Sequence, residues 1–177
     1  MRLKKGDTAP TIELPAIDGS TFSLESMDKK PYMLAFYRFA ACPFCNLRVH
    51  ELVSGFNEFG EDFNIVTVFD SPIDNLTRHT EGHLAPFPIV ADEKNVYYKK
   101  YGVEHSFWGF LFGMILRFPT LMKAMFMGYL PLSFKGRLTT MPAEFMIDRN
   151  GVIQTAFYAQ DEGEHLPFDL VKEFSLR

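Results

Sequence analysis

Cys42 and Cys45 are the only two cysteines of the chain, and they frame the run Cys42-Pro43-Phe44-Cys45. Two thiols at this spacing can close a small disulfide ring and reopen it, so their natural chemistry is reversible oxidation. The flanking residues place that ring. Tyr32-Met33-Leu34-Ala35-Phe36-Tyr37 is an unbroken apolar run of strand length, the pattern of a strand covered on both faces. Beyond the pair, Leu47, Val49, Leu52, Val53 and Phe56 recur at helical spacing up to Phe59-Gly60, where the glycine offers a stop. A strand feeding a helix puts Cys42 near the helix N-cap. There, unpaired backbone N–H groups and the positive end of the helix dipole favour a thiolate. Pro43 suits the first turn, because its missing N–H would have no intrahelical partner there.

Two other uses of the pair compete with this one. Buried free cysteines can serve as small hydrophobes. A zinc site would need about two further ligands. His79 and His83 offer an HxxxH spacing, but the 33-residue gap after Cys45 is longer than finger spacings, so no metal is expected. His50 and His105 read as solvated or locally bonded. Arg38 is a candidate for stabilising a thiolate or an oxidised sulfur, with Arg48 in the following helix as a second.

The 177 residues predict a single domain over 1–177. With 47% hydrophobic and 23% charged residues, a disordered chain and a fibrous repeat are disfavoured. A formal charge of −4 lacks the basic excess that nucleic acid would require. The N-terminal MRLKKGDTAP turns polar without an apolar run, which predicts a cytoplasmic protein. No GxGxxG is present, so no cofactor is expected and electrons would come from an external thiol system.

Thr11–Leu14 and Thr21–Leu24 read as a hairpin turning at Asp18-Gly19. Further strands are predicted at Ile65–Phe69 and Ile89–Ala91, and helices at Asp74–Gly82, Asn95–Gly102 and Leu166–Phe174. Glu144–Asp148 and Val152–Tyr158 flank Arg149-Asn150-Gly151 as a second hairpin. Strands alternating with helices and closing in a hairpin predict an α/β layer fold on a mixed central sheet flanked by helices.

One stretch interrupts the plan. No Asp or Glu lies between Glu104 and Glu144, while Arg117, Lys123, Lys135 and Arg137 give that segment +4. Phe107–Leu116 is almost purely apolar, and Met114, Met122, Met125 and Met127 follow. A membrane span needs about 20 apolar residues, and Arg117, Pro119 and Lys123 break this run. The 104–140 segment therefore reads as a helical insertion, packed on the domain or a twin subunit, or resting on a membrane or partner.

The order of these features resembles the thioredoxin fold: hairpin, buried strand ending Phe36-Tyr37-Arg38, CPFC, helix, then Met141-Pro142 before a strand–turn–strand. The leader KKGDTAPTIELPAIDGSTFSL and the FY strand end resemble its peroxiredoxin-like, AhpC/TSA-type branch. The CPFC itself is close to the CPYC of glutaredoxins. In the peroxiredoxin PxxxTxxC motif, the resemblance sets Arg38 at the proline, Cys42 at the threonine and Cys45 at the peroxidatic cysteine. Where that family places a peroxide-binding arginine, this chain has Met141-Pro142, similar to the cis-proline that faces the CxxC of thioredoxins. The resemblance implies a thiol–disulfide oxidoreductase or thiol-dependent peroxidase, with Cys42, Cys45, Arg38 and Pro142 as catalytic residues and Met141, Pro43 and Phe44 contacting substrate. In disulfide exchange Cys42 would attack and Cys45 resolve; with peroxide the alignment exchanges the roles. A cis Pro142 would leave the Met141 backbone free to pair with an incoming chain. Implied partners are a thioredoxin- or glutathione-type reductant, a peroxide or protein disulfide, and a second subunit at 104–140. The competing reading is a redox-inactive binding protein that works through 104–140.

Overall fold

The computed structural model describes residues 1–27, 29–131 and 135–177. A small antiparallel pair, β1 (Glu13–Pro15) and β2 (Thr21–Ser23), opens the chain. Its turn holds Gly19 at φ +84°, a conformation that favours glycine, and the Asp18 carboxylate accepts the Ser20 N–H. The main sheet has the order β5-β4-β3-β6-β7. Its members are β3 (Tyr32–Tyr37), β4 (Asn64–Phe69), β5 (Ile89–Ala91), β6 (Ala143–Ile147) and β7 (Ile153–Tyr158). The strands β3, β4 and β5 run parallel, and β6 and β7 are antiparallel additions on the other side of β3.

The apolar run of β3 lies at the centre, and all six of its residues are buried. Its alternating side chains feed two cores. Met33, Ala35 and Tyr37 join the cysteines and Leu52 on one face, while Leu34 and Phe36 join Phe22, Tyr98, Tyr101 and Phe145 on the other.

Helix α1 (Pro43–Ser54) follows β3 and stops earlier than the apolar spacing predicts, continuing only as a 3₁₀ turn over Phe56–Glu58. The helix ends at Gly55, where a Cβ would collide with the Phe168 ring that opens the last helix, so the packing of that ring requires glycine at the C-cap. Four short helices come next: α2 (Ile73–Thr80), α3 (Val96–Lys100), α4 (Phe107–Leu116) and α5 (Phe118–Phe126). Helix α6 (Phe168–Ser175) closes the chain. The α4 and α5 axes bend by 74° at Arg117, and among the described residues no single helix is long and apolar enough to cross a membrane.

Candidate active site

Cys42 is the N-cap of α1, in extended conformation, and Pro43 occupies the first turn. Both cysteines are free thiols with no exposed surface. Asn46, one turn on, ties the entry of the helix together. Its side-chain amide donates to the carbonyls of Ala40 at 2.7 Å and Cys42 at 2.9 Å. His83 holds the other end of that amide, its Nε2 lying 2.8 Å from Asn46 Oδ1, while its ring stacks on Tyr129. Burial, with His50 nearby, lowers the His83 pKa to about 4, so it holds Asn46 as a neutral ring. Among the described residues, no group of three His, Cys, Asp or Glu side chains could hold a metal ion.

Arg38 converges on the sulfurs from the end of β3. Its backbone N–H points to Cys45 Sγ at 3.4 Å, and its Nη1 lies 3.7 Å from Cys42 Sγ. Nη2 donates to the Leu138 carbonyl, and the guanidinium sits between the rings of Phe39 and Phe110. Nε is buried without a hydrogen-bond partner among the described residues. Leu138 is held in place by its neighbours: Asp70 accepts hydrogen bonds from the Arg137 N–H and the Thr140 hydroxyl, and His105 bridges Arg137 and Thr140.

The two thiols differ in charge. Burial opposes a charge on Cys42. A hydrogen bond from the Cys45 thiol, the Arg38 charge and the backbone N–H groups of Cys45 and Phe44 outweigh it, and the pKa falls to about 6. Burial and the neighbouring Cys42 thiolate push Cys45 well above the ordinary thiol range. The pair is therefore arranged as a thiolate at Cys42 with a proton-bearing donor at Cys45.

Glu162 is a member of the site that sequence reasoning missed. It is fully buried against Gly113 of α4, and neither carboxylate oxygen has a hydrogen-bond partner among the described residues. Burial raises its pKa to about 7, with Arg38 pulling down and Cys42 pushing up. Asn46 was missed as well, although its i+4 spacing from Cys42 was there to read; nothing in the pattern around Glu162 marked it.

The other anticipated residues fall elsewhere. The Met141–Pro142 bond, whose isomer the sequence leaves open, is trans. Nor is the Met141 backbone free, since its N–H donates to the Glu104 carbonyl at 3.0 Å beside the His105–Thr140 bridge. The two residues line a cavity of about 220 Å³ with Arg2, Glu104 and Tyr158, and neither cysteine is in its lining. Phe44 is almost fully buried and lines a groove of about 780 Å³ between α1, α5 and the 163–168 loop. Arg48 belongs to a different network. Its guanidinium pairs with the buried Glu144 carboxylate at 3.2 Å, where the Tyr37 hydroxyl, the Leu166 N–H and His165 also converge.

The model of the AhpC/TSA family matches residues 5–156. The chain belongs to the AhpC/TSA family. Two curated relatives are chloroplastic peroxiredoxins Q. The protein from Populus jackii is 25% identical over 113 residues, 63% of this chain and 53% of its own length. That from Sedum lineare is 22% identical over 164 residues, 92% of this chain and 73% of its own. Among solved structures, peroxidoxin BcpB from Mycobacterium tuberculosis superposes with a TM-score of 0.72 at 18% identity, covering 99% of this chain and 97% of that one. The thioredoxin-like architecture is thus that of the AhpC/TSA family. Within the pair the electrostatics run opposite to the order that the motif resemblance implies for peroxide chemistry: Cys42 carries the lowered pKa and Cys45 the raised one.

Proposed function

We propose that the protein is a thiol-dependent peroxide reductase in which Cys42 is the attacking sulfur. Its thiolate takes the distal peroxide oxygen, breaking the O–O bond and becoming a sulfenic acid, while the departing alkoxide or hydroxide gains a proton. The Cys45 sulfur then displaces water from that sulfenic acid and forms the Cys42–Cys45 disulfide. Two electrons from an external thioredoxin- or glutathione-type thiol regenerate the dithiol. Arg38 stabilises the thiolate and faces the developing oxyanion, and Glu162 is the titratable carboxyl within electrostatic reach of Arg38 and Cys42.

The observation that carries this reading is the lowered Cys42 pKa at a helix N-cap beside a buried arginine. A small oxidant is favoured over a protein disulfide for two reasons. Both sulfurs lack exposed surface, and the Met141 N–H that would pair with a docking chain is already bonded. The test is peroxide consumption by wild type, Cys42→Ser and Cys45→Ser, with a sulfenic-acid trap. Cys42→Ser should be inactive, and Cys45→Ser should accumulate a trapped sulfenic acid after one turnover. A sulfenic acid on Cys45 in the Cys42→Ser protein would exchange the roles.

A further inference from the structure

Helix α4 is built inside out. The face it turns inward carries glycines: a Cβ on Gly109 would crowd Met141 Sδ and the Gln160 carbonyl, and one on Gly113 would collide with Glu162. Phe110 and Met114 pack inward beside them, and the other large side chains point the other way. Phe107, Trp108, Leu111, Phe112, Ile115 and Leu116 are between 39% and 73% exposed. On α5 the pattern continues with Phe118 at 56% and Phe126 at 85%. A helix stable in water would show a polar face there, and a contiguous apolar surface of this kind marks a contact site.

Charge decides what covers it. The segment between Glu104 and Glu144 has no acidic residue and bears Arg117, Lys123, Lys135 and Arg137; Asp161 answers Arg117 at 2.8 Å, which leaves the other three to set the charge of this region. A twofold pairing of this face with a second copy would set one acid-free, basic segment against another. An anionic headgroup layer offers the opposite charge, and aromatic side chains flanked by basic ones are the composition of elements that lie in a bilayer interface. The bend of 74° between α4 and α5 leaves two short helices rather than one span, so they suit lying on a surface.

We propose that the exposed face of α4 and α5 docks the protein on the surface of anionic lipid membranes, with the aromatic side chains in the interfacial layer and Lys123, Lys135 and Arg137 on the headgroups. Phe110 of α4 packs on Arg38, so the docked helix is also the one that touches the arginine beside the thiols.

The chain's single tryptophan, Trp108, lies in this face and reports on it directly. The reduced full-length protein is mixed with vesicles of phosphatidylglycerol and phosphatidylcholine, or of phosphatidylcholine alone. Emission, quenching by brominated lipid and co-sedimentation are followed. Anionic vesicles should shift Trp108 emission to the blue and expose it to the lipid quencher, with partitioning about tenfold weaker on the neutral vesicles. Phe112→Ser and Ile115→Ser, both at exposed positions, should each weaken partitioning by about threefold or more. Lys123→Glu should weaken it on the anionic vesicles and leave the neutral ones little changed. Unchanged Trp108 emission with anionic vesicles overturns the proposal, whether the protein runs as a monomer or as a dimer that Phe112→Ser separates. The second result would assign the face to another copy of the chain.

Discussion

Arg38 and Arg48 are both almost fully buried, at 2% and 3% exposure, one at each end of the strand-to-helix junction. They differ in how their charge is met. Arg48 is answered by Glu144 and Glu51 and by the Leu166 carbonyl, and Glu144 in turn gathers Tyr37, His165 and the Leu166 N–H. The Arg38 guanidinium has one carbonyl, two aromatic rings and the Cys42 sulfur, and its Nε has no hydrogen-bond partner among the described residues. A buried charge that is fully paired belongs to the architecture, here pinning α1 to β6 and the entry of α6. A buried charge left short of partners has attraction to spend on something that changes its own charge, and at Arg38 that is the Cys42 sulfur.

Breaking the paired arginine should give the largest effect. Arg48→Met strands the Glu144 carboxylate in the core and should cost about 3–5 kcal/mol in urea unfolding, with the Cys42 pKa little changed in the fraction that folds. The same pair makes a pH prediction. Burial works against the Glu144 charge, but Arg48 and His165 overcome it and hold the carboxyl at about 2, against an ordinary 4.5. A folded pKa below the unfolded one means that stability is fully present above pH ~4.5 and is lost as pH falls toward 2, by about 3 kcal/mol in all. In Glu144→Gln that acid limb should flatten.

Arg38 should show the opposite balance. Arg38→Met removes one of the influences that keep Cys42 below its ordinary 9.0, so its pKa should climb and peroxide consumption at pH 7 should fall, by about twofold for the first unit of rise above 6 and by about tenfold for each further unit. Raising the pH should restore much of the rate, and the stability loss should stay at least about 1 kcal/mol below that of Arg48→Met. Equal stability losses without a pH shift in the rate would erase the distinction between the two arginines. The smallest effect is expected at Glu162. Glu162→Gln should change the neutral rate by about threefold or less, the scale of half a pKa unit. It should also remove an inflection near pH 7 from the rate profile.

What could be read from the sequence was local. The apolar run at 32–37, the glycine turns at Gly19 and Gly151 and the cysteine pair at a strand-to-helix junction each act over a few residues, and the structure places them accordingly. The misses all depend on contacts across the chain. Helix α1 ends at Gly55, where a ring 113 residues later fills the space of the missing Cβ. The role of Arg48 depends on Glu144, 96 residues on. Glu162 enters the site through the glycine face of α4, which an apolar count reads as featureless. The Met141 backbone is committed to Glu104 by pairing at the ends of the 104–140 segment, which no local rule for prolines anticipates.

The account rests on charge residing at Cys42 in the reduced protein. Ultraviolet thiolate absorbance, titrated against pH for wild type, Cys42→Ser and Cys45→Ser, measures it directly. The account predicts a first step near pH 6 in wild type that disappears in Cys42→Ser. A first step at the ordinary thiol value of 9.0, or one near 6 that survives in Cys42→Ser, would contradict it.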